Sequence, residues 1–300
     1  MVKKIRAFFD ARDYLEVDTP LLGVSTNTDI HIQSIRASAC NQPLYLQTSP
    51  EFAMKRLLVE GSGSIYQICH AFRDEEKGRT HHPEFTLLEW YSLNFDYVAL
   101  MDQMEQLIGE LFESSLPFTR ISYFECFQRY LGLDLHTAAL DQFRDQVTQH
   151  ITGIDVLQLS RADCMDLLIS QMIGKQFSGF TFIYDYPAEQ ASLARIKQSN
   201  PLVAERFELF YGEMELANGF SELTHASEQR ARFERDNQTR TENGLNSYPV
   251  DEDFLQALEQ GLPDCAGVAL GLDRLLMVLL ELNAMSAVLV LDTQQLPLRP

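Results

Sequence analysis

Residues able to do chemistry gather at three places in this chain. The first is Phe72-Arg73-Asp74-Glu75, followed after a polar loop by His82-Pro83-Glu84-Phe85 and then Glu89-Trp90-Tyr91. On a strand, residues two apart share a face. Arg73 and Glu75 would then present a cation for a phosphate beside an acceptor for an amino group. A surface ion pair on a hairpin satisfies the same two residues. Cys69, His70, His81 and His82 lie nearby, but adjacent strand residues face opposite sides and no C-x-x-C accompanies them, which argues against zinc.

The second place is Glu215-Leu216-Ala-Asn-Gly-Phe-Ser-Glu222. Asn218-Gly219 is a strong hairpin signal, and a two-residue turn there sets Glu215 opposite Glu222. Read as a single strand, the same run puts the two carboxylates on opposite faces unless a bulge at Gly219 resets the alternation. Converging carboxylates repel unless a cation sits between them, and Mg²⁺ suits hard oxygen ligands. A solvated acidic turn remains the plain alternative.

The third place is Gly267-Val-Ala269-Leu-Gly271-Leu-Asp-Arg274, opening an apolar helix. Glycine lets a backbone approach a ligand closely. A basic residue in the first helical turn opposes the helix dipole, so Arg274 wants another reason to be there, and a phosphate supplies one. A glycine-rich strand end is also compatible with packing alone. Gly61-Ser-Gly-Ser64 reads as a plain turn, and no Walker loop is present.

Composition bounds what these residues can serve. The 300 residues are 45% hydrophobic and 22% charged, which excludes a disordered or fibrous chain. Forty-three acidic against 24 basic residues give a formal charge of −19, removing the inexpensive electrostatic part of nucleic-acid binding. No apolar run approaches the length of a membrane span and no signal-peptide pattern opens the chain. Cys40, Cys69, Cys126, Cys164 and Cys265 read as reduced thiols of a cytoplasmic protein.

The positioning elements follow from hydrophobic periodicity. A helix is predicted over 2–12 and a short strand over Val17–Thr19, ended by Pro20. Another strand is expected at Tyr45–Thr48, with Pro50 opening a helix to Glu60. Ile65–Glu75 and Glu84–Ser92 read as a long hairpin around a polar loop. Helices are expected at about 97–113, 120–131, 139–150 and 160–173, then strands at Thr181–Tyr186, Phe207–Tyr211 and Glu215–Leu223. Helices over about 225–242 and 251–260 precede a strand at Gly267–Gly271 and a helix over Leu272–Leu282. Hairpins joined without crossover helices imply an antiparallel sheet flanked by helices, an α+β fold. The reading is one continuous domain over 1–300 with a helical insertion at about 97–175.

In order and spacing, these constellations resemble the three signature motifs of class II aminoacyl-tRNA synthetases. Tyr14–Pro20 resembles motif 1, Phe72–Tyr91 motif 2 and Gly267–Arg274 motif 3. The detail Phe-Arg-x-Glu…His-x-Pro-Glu-Phe-Thr…Glu-x-Tyr is similar to the lysyl-tRNA synthetase core. Two departures, about thirteen residues before motif 1 where an anticodon-binding domain is expected and Ala269 where that synthetase has glycine, resemble the elongation factor P β-lysine ligase family. So does the run Phe207–Leu223. The chain also begins without the short lead expected before that family's core.

The resemblance implies ATP-dependent activation of (R)-β-lysine, and weakly α-lysine, as an aminoacyl-adenylate, then transfer to a lysine of elongation factor P. It implies that Arg73 and Arg274 act in catalysis. Arg73, Asp74, Glu75, His82, Phe85, Glu215, Leu216, Gly271 and Arg274 would hold ATP, with Arg73 on the α-phosphate, Glu75 reading the adenine, Phe85 stacked on it, and Arg274 holding the γ-phosphate end and covering the other adenine face. Ser49, Pro50, Glu51, Glu89, Tyr91, Glu222 and Ala269 would line the amino-acid pocket, and Glu215 and Glu222 would carry Mg²⁺. A homodimer is implied through motif 1, where Phe8, Phe9, Tyr14 and Leu15 form an apolar cluster. Neither tRNA nor membrane is expected as a partner. The competing readings are a truncated synthetase that charges tRNA and a non-catalytic regulatory paralogue.

Overall fold

The buried face of the first helix, α1 (Val2–Asp10), is Ile5, Phe8 and Phe9, a spacing that docks one side of a short helix into a core. In the computed structural model, which describes residues 1–291, the chain groups into two compact units. One is Met1–Asn94 with the chain from Thr224 onward, and the other is Phe95–Leu223. The first continues through β1 (Leu15–Glu16), β2 (Leu22–Gly23), β3 (Arg36–Ala39), β4 (Gln42–Leu46), α2 (Glu51–Val59), β5 (Ile65–Phe72) and β6 (Glu84–Leu93). Phe9 stacks on Tyr66 at 4.5 Å and meets Trp90, so α1 closes over the β5–β6 hairpin. Phe8 and Phe9 are therefore core residues rather than the exposed apolar cluster the sequence suggested; of that cluster Leu15 is exposed, as are Leu21, Leu22 and Val24. The strand predicted at Val17–Thr19 lies earlier, because Leu15 pairs in parallel with Ile65.

The second unit runs through α3 (Tyr97–Phe112), β7 (Phe118–Ser122), α4 (Tyr123–Leu131), α5 (Leu140–His150), α6 (Arg161–Leu168), β8 (Phe180–Pro187), β9 (Val203–Tyr211) and β10 (Met214–Ser221). Asp96, Ser122 and Ser160 cap α3, α4 and α6 by accepting a backbone N–H of the first turn. The helix predicted from residue 120 starts at Tyr123, since Thr119–Ser122 pair in parallel with β8 and Ser122 becomes the cap. Phe127, Phe143, Val147, Met165 and Ile183 are among the residues of a core under these helices. The strand order is β10-β9-β8-β7.

Returning to the first unit, α7 (Ala226–Glu242) and α8 (Glu252–Gly261) precede β11 (Cys265–Gly271) and α9 (Leu272–Leu279). The strand order there is β1-β5-β6-β11, antiparallel except for β1 on β5, and β2-β4-β3 form a separate small sheet. Helix α9 stops short of the predicted Leu282 because Glu281 turns left-handed (φ 54°) and the Leu282 N–H returns to the Met277 carbonyl. The architecture is α+β, with sheets flanked by helices. Among the described residues no helix is long and apolar enough to cross a membrane. All five cysteines are free thiols, Cys40 exposed and the others buried.

Candidate active site

A carboxylate buried in the middle of a sheet must have its oxygens satisfied, and Glu89 meets that demand with hydroxyls. It lies on β6, 2% exposed, and accepts from the Ser49 hydroxyl at 2.8 Å and the Tyr91 hydroxyl at 2.6 Å. Pairing across β5, β6 and β11 sets Gln67, Glu89 and Ala269 in one row. Ser49 also accepts the Glu51 N–H, and Pro50 stands just before the first turn of α2. From that first turn Glu51 takes an ion pair from Lys55 at 2.5 Å, with Lys55 itself 1% exposed. Burial, reinforced by the neighbouring Glu51 charge, pushes the Glu89 carboxyl up to about 7, against the hydrogen bonds of Tyr91 and Ser49 that favour its charge. Ser49, Pro50, Glu51, Glu89, Tyr91 and Ala269 thus all lie in the first unit, on α2 and its lead-in and on β6 and β11. The buried anion they surround suits an amine.

The basic residues lie at the turn that ends β5. The hairpin strand stops at Phe72, short of the predicted Glu75. The Arg73 N–H still donates to the Pro83 carbonyl, but the Asp74 N–H turns to Gln33 at 2.7 Å. Asp74 Oδ1 accepts the Glu75 N–H, and Glu75 takes a left-handed conformation with φ 64°. Arg73 and Glu75 are consequently not paired along one strand face as predicted. The Arg73 guanidinium instead lies over the Phe85 ring, 5.1 Å from its centre. His82 is buried, with Nδ1 2.7 Å from the Glu84 carbonyl oxygen.

Motif 3 is fastened to this hairpin from both sides. Gly271 is the N-cap of α9, and Asp273 in the first turn accepts the Thr86 N–H at 2.6 Å. Arg274 Nε donates to the Thr80 carbonyl at 3.1 Å, so its place at the positive end of a helix has a structural reason. Three dispersed sequence segments thereby set Arg73, Phe85 and Arg274 in one unit.

Glu215, Leu216 and Glu222 belong to the second unit. The Asn218-Gly219 turn does not form. Gly219 pairs with Phe207 inside β10, Asn218 accepts from Arg206 Nε, and the chain reverses at Gly212, where φ is 56°. The bulge falls at Leu216 rather than Gly219, since Glu215 opposes Phe210 and Ala217 opposes Leu209. That extra residue resets the alternation and returns Glu215 and Glu222 to one face. On β9, Glu208, opposite Asn218, pairs with Arg206 at 2.5 Å, and burial, with the Glu215 charge added, raises the Glu208 carboxyl to about 7. That face carries Glu208, Glu215 and Glu222 beside the Arg206 guanidinium, and hard carboxylate oxygens are the donors Mg²⁺ takes. Among the described residues no three His, Cys, Asp or Glu side chains gather into a ready metal cage. Glu215 and Glu222 therefore fit an ion whose remaining ligands come from water or substrate.

Sequence reasoning overlooked Lys55, Gln67, Arg206 and Glu208. Glu51 and Lys55 stand four apart on a helix, a spacing that was legible as an ion pair. Nothing in the sequence showed that Arg206 and Glu208 would be turned inward.

A family model described as class II tRNA synthetases (D, K and N) matches residues 1–295. The chain is 44% identical to the elongation factor P–(R)-β-lysine ligase of Pseudoalteromonas translucida (strain TAC 125), over 97% of this chain and 93% of that protein. It is 43% identical to the Edwardsiella ictaluri (strain 93-146) ligase of the same name, over 98% and 93%. The corresponding Vibrio atlanticus (strain LGP32) ligase is 44% identical over 93% and 89%.

Proposed function

The chain belongs to the class II tRNA synthetase family (D, K and N), a family of ATP-dependent amino-acid ligases, and on that premise we propose that it joins (R)-β-lysine, and weakly α-lysine, to a lysine side chain of elongation factor P. In the proposed first step the amino-acid carboxylate attacks the α-phosphorus of ATP. The new oxygen–phosphorus bond forms as the bond to the bridging oxygen breaks and pyrophosphate leaves. In the second step the acceptor lysine amine attacks the acyl carbon of the adenylate, AMP departs with the bonding pair, and the amine proton passes to solvent. The carboxylate is already a nucleophile, so the chain's contribution is positioning and charge stabilisation.

The observation that carries this reading is Glu89, a buried carboxyl held by Ser49 and Tyr91 with Ala269 beside it in register. A diamine substrate needs anions in a sealed pocket, and each charge-assisted bond contributes about 1.5–3 kcal/mol. We assign the amino acid to Ser49, Pro50, Glu51, Glu89, Tyr91, Ala269 and Glu222. Arg73 is assigned to the α-phosphate, Arg274 to the γ-phosphate end and one adenine face, His82 to phosphate, Asp74 to ATP, Glu75 to the adenine and Phe85 to its other face, with Gly271 leaving room. Glu215 and Leu216 are assigned to ATP. Glu215 and Glu222 are the residues that would hold Mg²⁺, which supplies neutralisation of phosphate charge when bound. Residues 1–300 are read as one catalytic domain with an insertion, of which 292–300 lie outside the described residues, and the enzyme as a cytoplasmic homodimer.

The formal charge of −19 supports a protein acceptor over tRNA, since long-range attraction to a polyanion is lacking. The test is pyrophosphate exchange with β-lysine and α-lysine in parallel, followed by the mass of elongation factor P. Exchange favouring β-lysine and a gain of one lysyl unit are expected. Efficient charging of tRNA at physiological salt, with no gain of mass on elongation factor P, overturns the proposal.

A further inference from the structure

Arg240, in the last turn of α7, is fully buried, and every acceptor it uses is a neutral oxygen. Its Nε donates to the Asn246 carbonyl at 2.8 Å, Nη1 to the carbonyls of Asp29 at 2.7 Å and Ile32 at 3.3 Å, and Nη2 to Gln33 Oε1 at 2.8 Å. The guanidinium lies over the Tyr248 ring, 4.1 Å from its centre. Burying this charge costs free energy, and no carboxylate offsets it here. What the planar fork achieves is to hold the end of the 24–34 loop in one conformation.

That loop has further anchors on the same helices. Thr28 donates to Asp236 on α7 at 2.9 Å and Ser25 to Asp251, the cap of α8, at 2.7 Å, while Tyr248 accepts the Ser34 N–H at 3.0 Å. The held residue, Gln33, is also the one whose carbonyl accepts the Asp74 N–H at 2.7 Å, in an isolated antiparallel bridge. Asp74 in turn fixes the Glu75 N–H, and Glu75 stands in a left-handed conformation that a non-glycine residue keeps only when its surroundings impose it. The chain of contacts therefore runs Arg240 to Gln33 to Asp74 to Glu75. It joins a helix that supplies no assigned site residue to the residue assigned to adenine.

We propose that Arg240 and Gln33 are positioning residues for nucleotide recognition, holding the turn at Asp74-Glu75 so that the Glu75 carboxylate meets the exocyclic amine of adenine. This rests on the adenine role assigned to Glu75. The loop is a strut, and its work is selection of the base rather than of the amino acid.

The experiment compares ATP with the triphosphate of purine riboside, which lacks the exocyclic amine, in pyrophosphate exchange. Misplacing a recognition group by about an ångström can cost up to roughly a hundredfold. In Gln33→Ala and in Arg240→Lys, which keeps the charge and loses the fork, the KM for ATP should rise roughly ten- to a hundredfold. The preference for ATP over the analogue should collapse, with kcat and the amino-acid KM unchanged. A role limited to filling the core would lower the melting temperature and leave that preference intact. Should Arg240→Lys fail to fold, Gln33→Ala decides alone. Glu75→Ala separates the strut from the adenine role. If it abolishes base preference while a folded Gln33→Ala leaves preference and KM untouched, the strut is wrong and the adenine role stands. If Glu75→Ala leaves preference untouched, the adenine role is wrong and the strut falls with it.

Discussion

Ala269 and Glu89 are direct partners in the antiparallel register of β11 and β6, with Gln67 completing the row on β5. Directly opposed residues carry their Cβ atoms on one face about 4.5–5.5 Å apart. The Ala269 methyl therefore stands beside the residue whose carboxylate Ser49 and Tyr91 hold in place. A motif 3 residue and a motif 2 residue, far apart in sequence, thus form one wall.

On the amino-acid role proposed for Ala269, that methyl should discriminate between lysine isomers. In α-lysine the amine lies on the carbon next to the carboxylate, and in β-lysine one carbon further along. With the carboxylate at ATP, a methyl at 269 crowds the nearer amine. A single methyl in a tight pocket shifts selectivity by about 1–3 kcal/mol, or roughly 10–200-fold. Ala269→Gly should raise kcat/KM for α-lysine relative to β-lysine by a factor in that range without unfolding the protein. An unchanged ratio in parallel exchange assays moves selectivity to Glu51, Glu89 and Glu222.

The two arginines should each be needed for activation. Arg73 rests on Phe85, and Arg274 is tethered by Nε to the Thr80 carbonyl, so both are pre-oriented. Removing one preorganised group that stabilises transition-state charge costs about 3 kcal/mol, or roughly a hundredfold. Arg73→Ala and Arg274→Ala should therefore lower pyrophosphate exchange about a hundredfold while far-ultraviolet circular dichroism stays native. Near-native exchange in either variant removes that residue from the site.

Much of this arrangement was legible in the sequence, and the failures have physical causes. The helices read from about 160 and 251 start where Ser160 and Asp251 offer a side-chain oxygen to a backbone donor, whereas the helix read from 120 overran its cap, Ser122. The β5–β6 hairpin follows from its aromatic and β-branched alternation. Asn218-Gly219 misled because a local turn propensity lost to pairing with β9, while Gly212 supplied the left-handed residue the real turn needs. Phe8 and Phe9 looked like an exposed cluster because short range cannot show that Tyr66 and Trp90 fold under them. Gln33 and Arg240 carried no motif, since their meaning lies in a contact across the sequence.

Self-association should rest on different residues from the cluster the sequence suggested, of which Phe8 and Phe9 are buried and Leu15 is exposed. Leu15, Leu21, Leu22 and Val24 are exposed in the motif 1 region, and apolar residues clustered there favour a partner surface. Light scattering at micromolar concentration is expected to give twice the monomer mass, and Leu15→Glu with Leu22→Glu to shift it toward the monomer. A wild-type monomer mass rejects the dimer.

Lys55 should matter to stability through Glu51. The pair is 2.5 Å apart, with the ammonium sealed in α2 and the carboxylate largely covered. Removing one member of a buried pair strands the other, at a cost of about 3 kcal/mol. Lys55→Met should lose about that much in urea unfolding, and adding Glu51→Gln should recover most of it. If the double variant is no more stable than the single one, the loss comes from packing and not from a stranded charge.

Glu89 should impose a pH dependence on amino-acid binding. Burial and the Glu51 charge raise its carboxyl to about 7, above the ordinary carboxylate range. Because the folded value is raised, the protonated form stabilises the free enzyme. That contribution is complete below the ordinary carboxylate range and is lost as pH rises through about 7. An ammonium-bearing substrate needs the ionised form, so binding below that value must first expel a proton. Affinity for β-lysine should then climb as pH rises toward 7, by at most about tenfold per pH unit, and level off above it. The amines of lysine stay protonated throughout this window, so they do not contribute to the slope. Calorimetry in buffers of different ionisation heat should detect the proton released near pH 6. Glu89→Gln should bind more weakly and lose both the slope and the release. A slope that persists in Glu89→Gln assigns the titration to another group and removes Glu89 as the anion that receives the amine.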